Sequence, residues 1–148
     1  MVVVDGKAIF ESAIINEYLD EVYPEPPLMP STAFDRAQVR IWTDYTATRL
    51  VPPLYRVLKS SHPEKIEASW PDLHKELAYL NQHFDEGSGP WVLGEDFSMA
   101  DINLLPFVHQ FPRLEQDVMA KYEGIARFYK AFEQRPSFSE TMQDNLSE

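Results

Sequence analysis

Cysteine is absent from this 148-residue sequence. No disulfide framework and no thiol nucleophile can therefore come from these residues. Glycine is scarce, five residues against twelve prolines, and no glycine-rich stretch of the kind that cradles phosphate occurs. Basic residues are few as well. Thirteen Lys and Arg stand against twenty-four Asp and Glu, giving a net charge of −11 and a pI near 4.7, and the basic residues do not cluster. Nucleic acid and anionic membrane surfaces are thereby excluded as expected partners, because both are attracted first through Lys and Arg facing phosphate. No apolar stretch approaches the roughly 18 residues of a membrane-spanning helix, and the N-terminus has neither the basic segment nor the long apolar run of a signal peptide. A cytoplasmic setting is expected.

What is present suffices for one core, with 44% hydrophobic and 13% aromatic residues. The opening "MVVVDGKAIFESAIINEYLD" predicts a hairpin and a helix. Val2 to Val4 is a β-branched run, Asp5-Gly6 readily takes the positive φ angles of a two-residue turn, and Ala8 to Phe10 is a second apolar run. Ser12 stands as N-cap before Ile14, Ile15, Tyr18, Leu19 and Val22 at helical spacing. A two-stranded hairpin with one helix to lie on is marginal in water, so a further unit is expected in front of Met1.

"YPEPPLMP", Tyr23 to Pro30, packs four prolines into eight residues. It cannot continue a helix and reads as a stiff linker. Beyond it, Ser31 or Thr32 caps a helix whose face carries Phe34, Ala37, Ile41, Trp42, Tyr45 and Thr48, and Val51-Pro52-Pro53 is expected to end or kink it. A second helix spans about Glu64 to Asp85, with Ile66, Trp70, Leu73, Leu77, Leu80 and Phe84 as its apolar stripe. Asp85 to Asp96 reads as loop, followed by helices from Ser98 to about Gln110 and from about Ile125 to Gln134. The expected plan is a small αβ piece over 1–23, a linker over 24–30 and an all-helical bundle over 31–148.

The most specific segment is "GEDFSMADINLLPF". With Ser98 as N-cap, Asp101 falls at the third helical position, where carboxylate and hydroxyl cap each other's backbone N–H, while Phe97 and Ile102 occupy the two positions of a hydrophobic staple. Capping alone explains these residues, so they are read as structural.

On this box and staple, on "DGKAIFESAIINEYLDEVYP" before the linker and on the closing "IARFYKAFEQRPSF", the sequence resembles the glutathione S-transferase family. The resemblance implies a mostly α chain: part of a thioredoxin-like α/β domain, hairpin plus helix, followed by the family's C-terminal helical bundle. It further implies that the strand–helix–strand–helix unit bearing the catalytic Tyr, Ser or Cys, together with a cis-proline, lies before Met1, so the catalytic residue is not expected within this chain. Glutathione is the implied co-substrate, for conjugation to an electrophile or for thiol transfer to a disulfide, and a homodimer is the implied assembly. "RIWTDYTATRLVPPLY" is similar to the omega-like branch. The same helical domain also serves in non-catalytic assembly modules, which stands as the alternative.

Glu11 and Ser12 match the acidic residue and Ser that hold the γ-glutamyl end of glutathione. A helix N-terminus offers N–H groups and partial positive charge to a carboxylate, and Glu11 offers a partner to the ammonium. They read equally as a plain cap and a solvated acid. Trp42, Tyr45 and Arg49 lie on the helix where the family builds its co-substrate pocket, although aromatics at this spacing also read as core. His62, His74, His83 and His109 lack the paired spacing of a helical zinc site, and no metal is expected.

Overall fold

The computed structural model describes residues 1–114 and 117–141; the end of the expected 31–148 bundle, residues 142–148, lies outside them. Strands β1 (Val2–Val4) and β2 (Lys7–Ile9) pair antiparallel, Val2 opposite Ile9 and Val4 opposite Lys7. Asp5 at φ 49° and Gly6 at φ 75° make the turn, a backbone that Asp and Gly adopt at low cost. Helix α1 (Ser12–Val22) follows at once.

The start of α1 departs from the sequence reading. Glu11, not Ser12, occupies the cap position, at φ 66° and ψ 119°, and no side chain caps the helix. The positive φ turns the chain into the helix one residue early: the Ile15 N–H donates to the Glu11 carbonyl at 2.9 Å, and Ser12 is already helical. None of the expected apolar residues of α1 is buried. The linker is held by polar contacts, with Asp20 accepting from the Leu28 and Met29 N–H groups at 2.7 and 3.1 Å.

Thr32 caps α2 (Ala33–Tyr45) by accepting from the Asp35 N–H at 3.1 Å. The helix does not stop at the prolines. A single wide π turn, Thr46–Leu50, leads into α3 (Val51–Lys59), whose first turn contains Pro52 and Pro53, where no N–H is required. The Thr46 and Thr48 hydroxyls donate to the carbonyls of Trp42 and Asp44, four residues back, which accompanies the widened turn. The buried face of this segment is Val39, Trp42, Tyr45, Thr46 and Leu50, whereas Phe34 and Ile41, expected on it, point to solvent.

Helix α4 (Pro63–Glu86) is the central post, packed against α3 and against α7 (Glu123–Glu133), with α5 (Met99–Val108) against α2 and the short α6 (Val118–Lys121) and α8 (Pro136–Thr141) completing the bundle. Its stripe behaves as the spacing predicts: Trp70, Leu73, Leu77, Leu80 and Phe84 are buried and Ile66 packs at the edge. Helix α7 has no cap of its own. Asn81 of α4 supplies one, its Oδ1 accepting from the Gly124 and Ile125 N–H groups at 2.8 and 3.3 Å. A Cβ on Gly124 would come within 2.8 Å of the Asn81 carbonyl, so glycine is what lets the two helices meet there. Among the described residues no helix is long and apolar enough to cross a membrane.

Candidate functional site

Glu11 and Ser12 stand together and exposed at the N-terminus of α1. No side chain caps the first N–H groups of the helix, and a hydroxyl and a carboxylate stand beside them. A residue with a Cβ at φ 66° and ψ 119° is strained, and strain of this kind concentrates at functional positions.

Trp42, Tyr45 and Arg49 are brought together, but the two rings face inward. The Trp42 ring lies 4.0 Å from the His83 ring, centroid to centroid, and the Tyr45 hydroxyl donates to the Glu76 carbonyl at 2.8 Å. Burial raises the Tyr45 pKa, with the nearby Glu76 charge adding to it, so this phenol is not an acid for neutral pH. Arg49 reaches the surface. Its guanidinium lies over the Tyr45 and Tyr79 rings at 5.3 and 5.1 Å and pairs with Glu76 at 3.0 Å, on one wall of a cleft of about 270 Å³ shared with Arg56, Asp72 and Lys75. Sequence reasoning missed Tyr79, Glu76 and His83 as partners of this trio, although their spacing of three to four residues along α4 puts them on one face.

The Ser98–Asp101 pair forms a capping box at the start of α5. Asp101 Oδ2 accepts from the Ser98 N–H at 2.7 Å and from its hydroxyl at 3.0 Å. Its Oδ1 takes the Val92 N–H at 2.8 Å, a contact the sequence pattern does not announce. Val92 is held on its other side too, its carbonyl accepting from His83 Nε2 at 2.7 Å. Val92 thus ties the loop before α5 to both α4 and α5. Asp101 is wholly buried, and burial pushes its pKa up to about 6 against the pull of the donors around it. Phe97 packs edge-on to Trp91 and lies 3.7 Å beneath the Arg135 guanidinium, and Ile102 is half-buried against the core.

The histidines have local partners. His74 bonds with the Tyr122 hydroxyl at 2.9 Å and stacks on Trp70, and His109 bonds with the Tyr129 hydroxyl at 2.8 Å in a site whose burial lowers its pKa. His62 is exposed, 3.8 Å from Glu64. Among the described residues no group of three or more His, Cys, Asp or Glu is placed to hold a metal.

Residues 53–144 match the family model described as glutathione S-transferase, C-terminal domain. Glutathione S-transferase U19 of Arabidopsis thaliana is 30% identical over 145 residues, covering 95% of this chain and 65% of that protein. The crystal structure of glutathione transferase Omega 3C from Trametes versicolor is 33% identical and superposes with a TM-score of 0.75 over 91% of this chain and 62% of its own. A glutathione S-transferase from Methylobacillus flagellatus, solved with GSH bound, is 25% identical with a TM-score of 0.72, covering 92% of this chain and 70% of its own. The chain spans 48% to 66% of the length of the first curated relatives it matches. The family model covers more than half of the chain and the solved glutathione transferases superpose along most of it, and the chain belongs to the glutathione S-transferase family.

Proposed function

We propose that this chain binds glutathione at the N-terminus of α1 and serves a glutathione-dependent transfer, conjugation to an electrophile or exchange with a disulfide. The observation that carries the reading is Glu11, held in a strained backbone beside an exposed Ser12 at a helix start whose N–H groups no side chain takes. A γ-glutamyl end carries a carboxylate and an ammonium close together. The first suits the helix N–H groups and the Ser12 hydroxyl, the second suits the Glu11 carboxylate. Residues 1–23 act in this reading as part of a thioredoxin-like domain, joined by 24–30 to the bundle. Arg49, over the Tyr45 and Tyr79 rings beside the buried Trp42, offers a cation to the co-substrate in this reading.

Titration of glutathione into the chain tests this. Saturable heat or protection is expected, and Ser12→Ala is expected to weaken it roughly tenfold to a hundredfold, the effect of one hydrogen bond to a charged group. Absence of saturable binding removes the reading. Homodimerisation is part of the proposal, supported by Phe34 and Ile41 lying exposed along α2 at 71% and 56%. Sedimentation should show a dimer that Ile41→Lys converts to monomer; a native monomer refutes this part.

A second reading, a non-catalytic assembly module, is favoured by the apolar residues left open on the hairpin and α1, Phe10, Ile14, Leu19, Val22 and Tyr23. Glutathione titration separates the two, since only the first predicts saturable uptake at the start of α1; neither predicts much turnover by this chain alone.

A further inference from the structure

We propose that Asn103 is a positioning residue, and that a hydrogen-bond relay through Asn16, Asn103 and Thr43 fixes how α1 sits on the bundle and so where its Glu11–Ser12 end is aimed. The functional half of this inference rests on the glutathione reading of that end.

The relay runs in one direction. Asn16 Nδ2 donates to Asn103 Oδ1 at 2.8 Å, Asn103 Nδ2 donates to Thr43 Oγ1 at 3.0 Å, and the Thr43 hydroxyl donates to the Val39 carbonyl at 2.9 Å. Each nitrogen and hydroxyl in it makes one bond onward, and it ends on the backbone of α2. It therefore joins three helices, α1, α5 and α2, through one buried amide, Asn103 being 9% exposed. A buried amide that loses a partner keeps its desolvation cost, so the arrangement tolerates little rotation.

Few other contacts can set the orientation of α1. None of its residues is fully buried, and Ile15 and Tyr18 are only half-buried, so apolar packing holds it loosely. Glu17 pairs with Arg40 of α2 at two points, 2.9 and 3.3 Å, but the Arg40 side chain is 58% exposed and on a long flexible stem, so the pair holds α1 less firmly than a buried amide. Asp20 ties the far end of the helix to Leu28 and Met29 of the linker, and reaches the bundle only one step on, where the Leu28 carbonyl accepts from the Met99 N–H of α5 at 2.9 Å; this anchors the C-terminal end and leaves the Ser12 end to the relay. Asn16 lies four residues beyond Ser12 and thus on the same helical face, one turn away. A tilt about Asn16 shifts Ser12 and the free N–H groups directly.

The test combines glutathione titration with hydrogen exchange on the whole 148-residue chain and three variants, Asn103→Leu, Asn16→Leu and Asn16→Asp. Both leucine variants should bind glutathione roughly tenfold more weakly. They should also speed exchange across α1 while α4 and α7 stay protected. Asn16→Asp should retain affinity within about threefold, because Asn103 can turn its amide over, donating Nδ2 to the new carboxylate and accepting from Thr43 at Oδ1. That rescue would not follow from a packing role. Leucine variants with native affinity and native α1 exchange overturn the proposal, as does failure of Asn16→Asp to rescue. If Asn103→Leu does not fold, the half-buried Asn16 and its two variants decide. If the native chain takes up no glutathione, the functional reading of the α1 end falls, and exchange alone judges the relay: faster exchange confined to α1 supports it, unchanged exchange overturns it.

Discussion

Asp101→Ala is expected to lower the unfolding free energy by about 3 kcal/mol and the midpoint temperature by roughly 10 °C. Three donors lose their acceptor at once, the Ser98 N–H and hydroxyl and the Val92 N–H, at a position with no solvent access. The damage spreads past the helix cap, because Val92 ties the loop before α5 to α4 as well, its carbonyl accepting from His83. The pH dependence has a definite sign. Burial raises the Asp101 pKa from 3.8 to about 6, so between those values the native state keeps a proton that the unfolded chain has already lost, and stability falls as pH rises through that window. The conversion is about 3 kcal/mol in all. Asp101→Asn has no such slope. Chemical unfolding at pH 4 and pH 7 should show the native advantage over Asp101→Asn shrinking by most of that amount, about 2 to 2.5 kcal/mol, toward neutral pH. An advantage that grows with pH would mean that the donors, not burial, govern the carboxylate.

This residue also marks how far the sequence could be read. The box of Ser98 and Asp101 and the stripe of α4 are visible because each depends on residues three or four apart, and local spacing records such contacts. The Val92 tie, the Asn81 cap on α7 and the relay through Asn103 join residues 9 to 87 positions apart. No periodicity encodes them. The prolines at 52 and 53 mislead for a related reason: a breaker inside a helix and a first-turn residue of the next helix have the same sequence, and only the π turn before them decides. Phe34 and Ile41 show the complement. Helical spacing assigns them to an apolar face but cannot tell which apolar face the bundle covers. At the candidate site, Glu11 and Ser12 were legible as a pair, while the positive φ at Glu11 was not, since glutamate gives no sign of it.

That backbone angle leads to the second large effect expected here, a gain in one property against a loss in another. Glu11→Gly should raise stability by about 1 kcal/mol, the release of left-handed strain in a residue with a Cβ, less the greater freedom of glycine in the unfolded chain. The same change should weaken glutathione binding by roughly tenfold to a hundredfold, because it removes the carboxylate proposed to meet the ligand's ammonium, a charge-assisted contact. Glu11→Gln separates the two causes: it keeps the backbone strain and the side-chain length and loses only the charge. Affinity should fall with little change in stability. Urea unfolding and calorimetric titration of the three proteins measure both quantities. A glycine variant less stable than the native chain would show that Glu11 is held without strain, and undiminished binding by both variants would show that the strained residue does not touch the ligand. The expected pattern, strain maintained only where a charge is needed, is what makes an exposed acid in a glycine-like conformation informative about function.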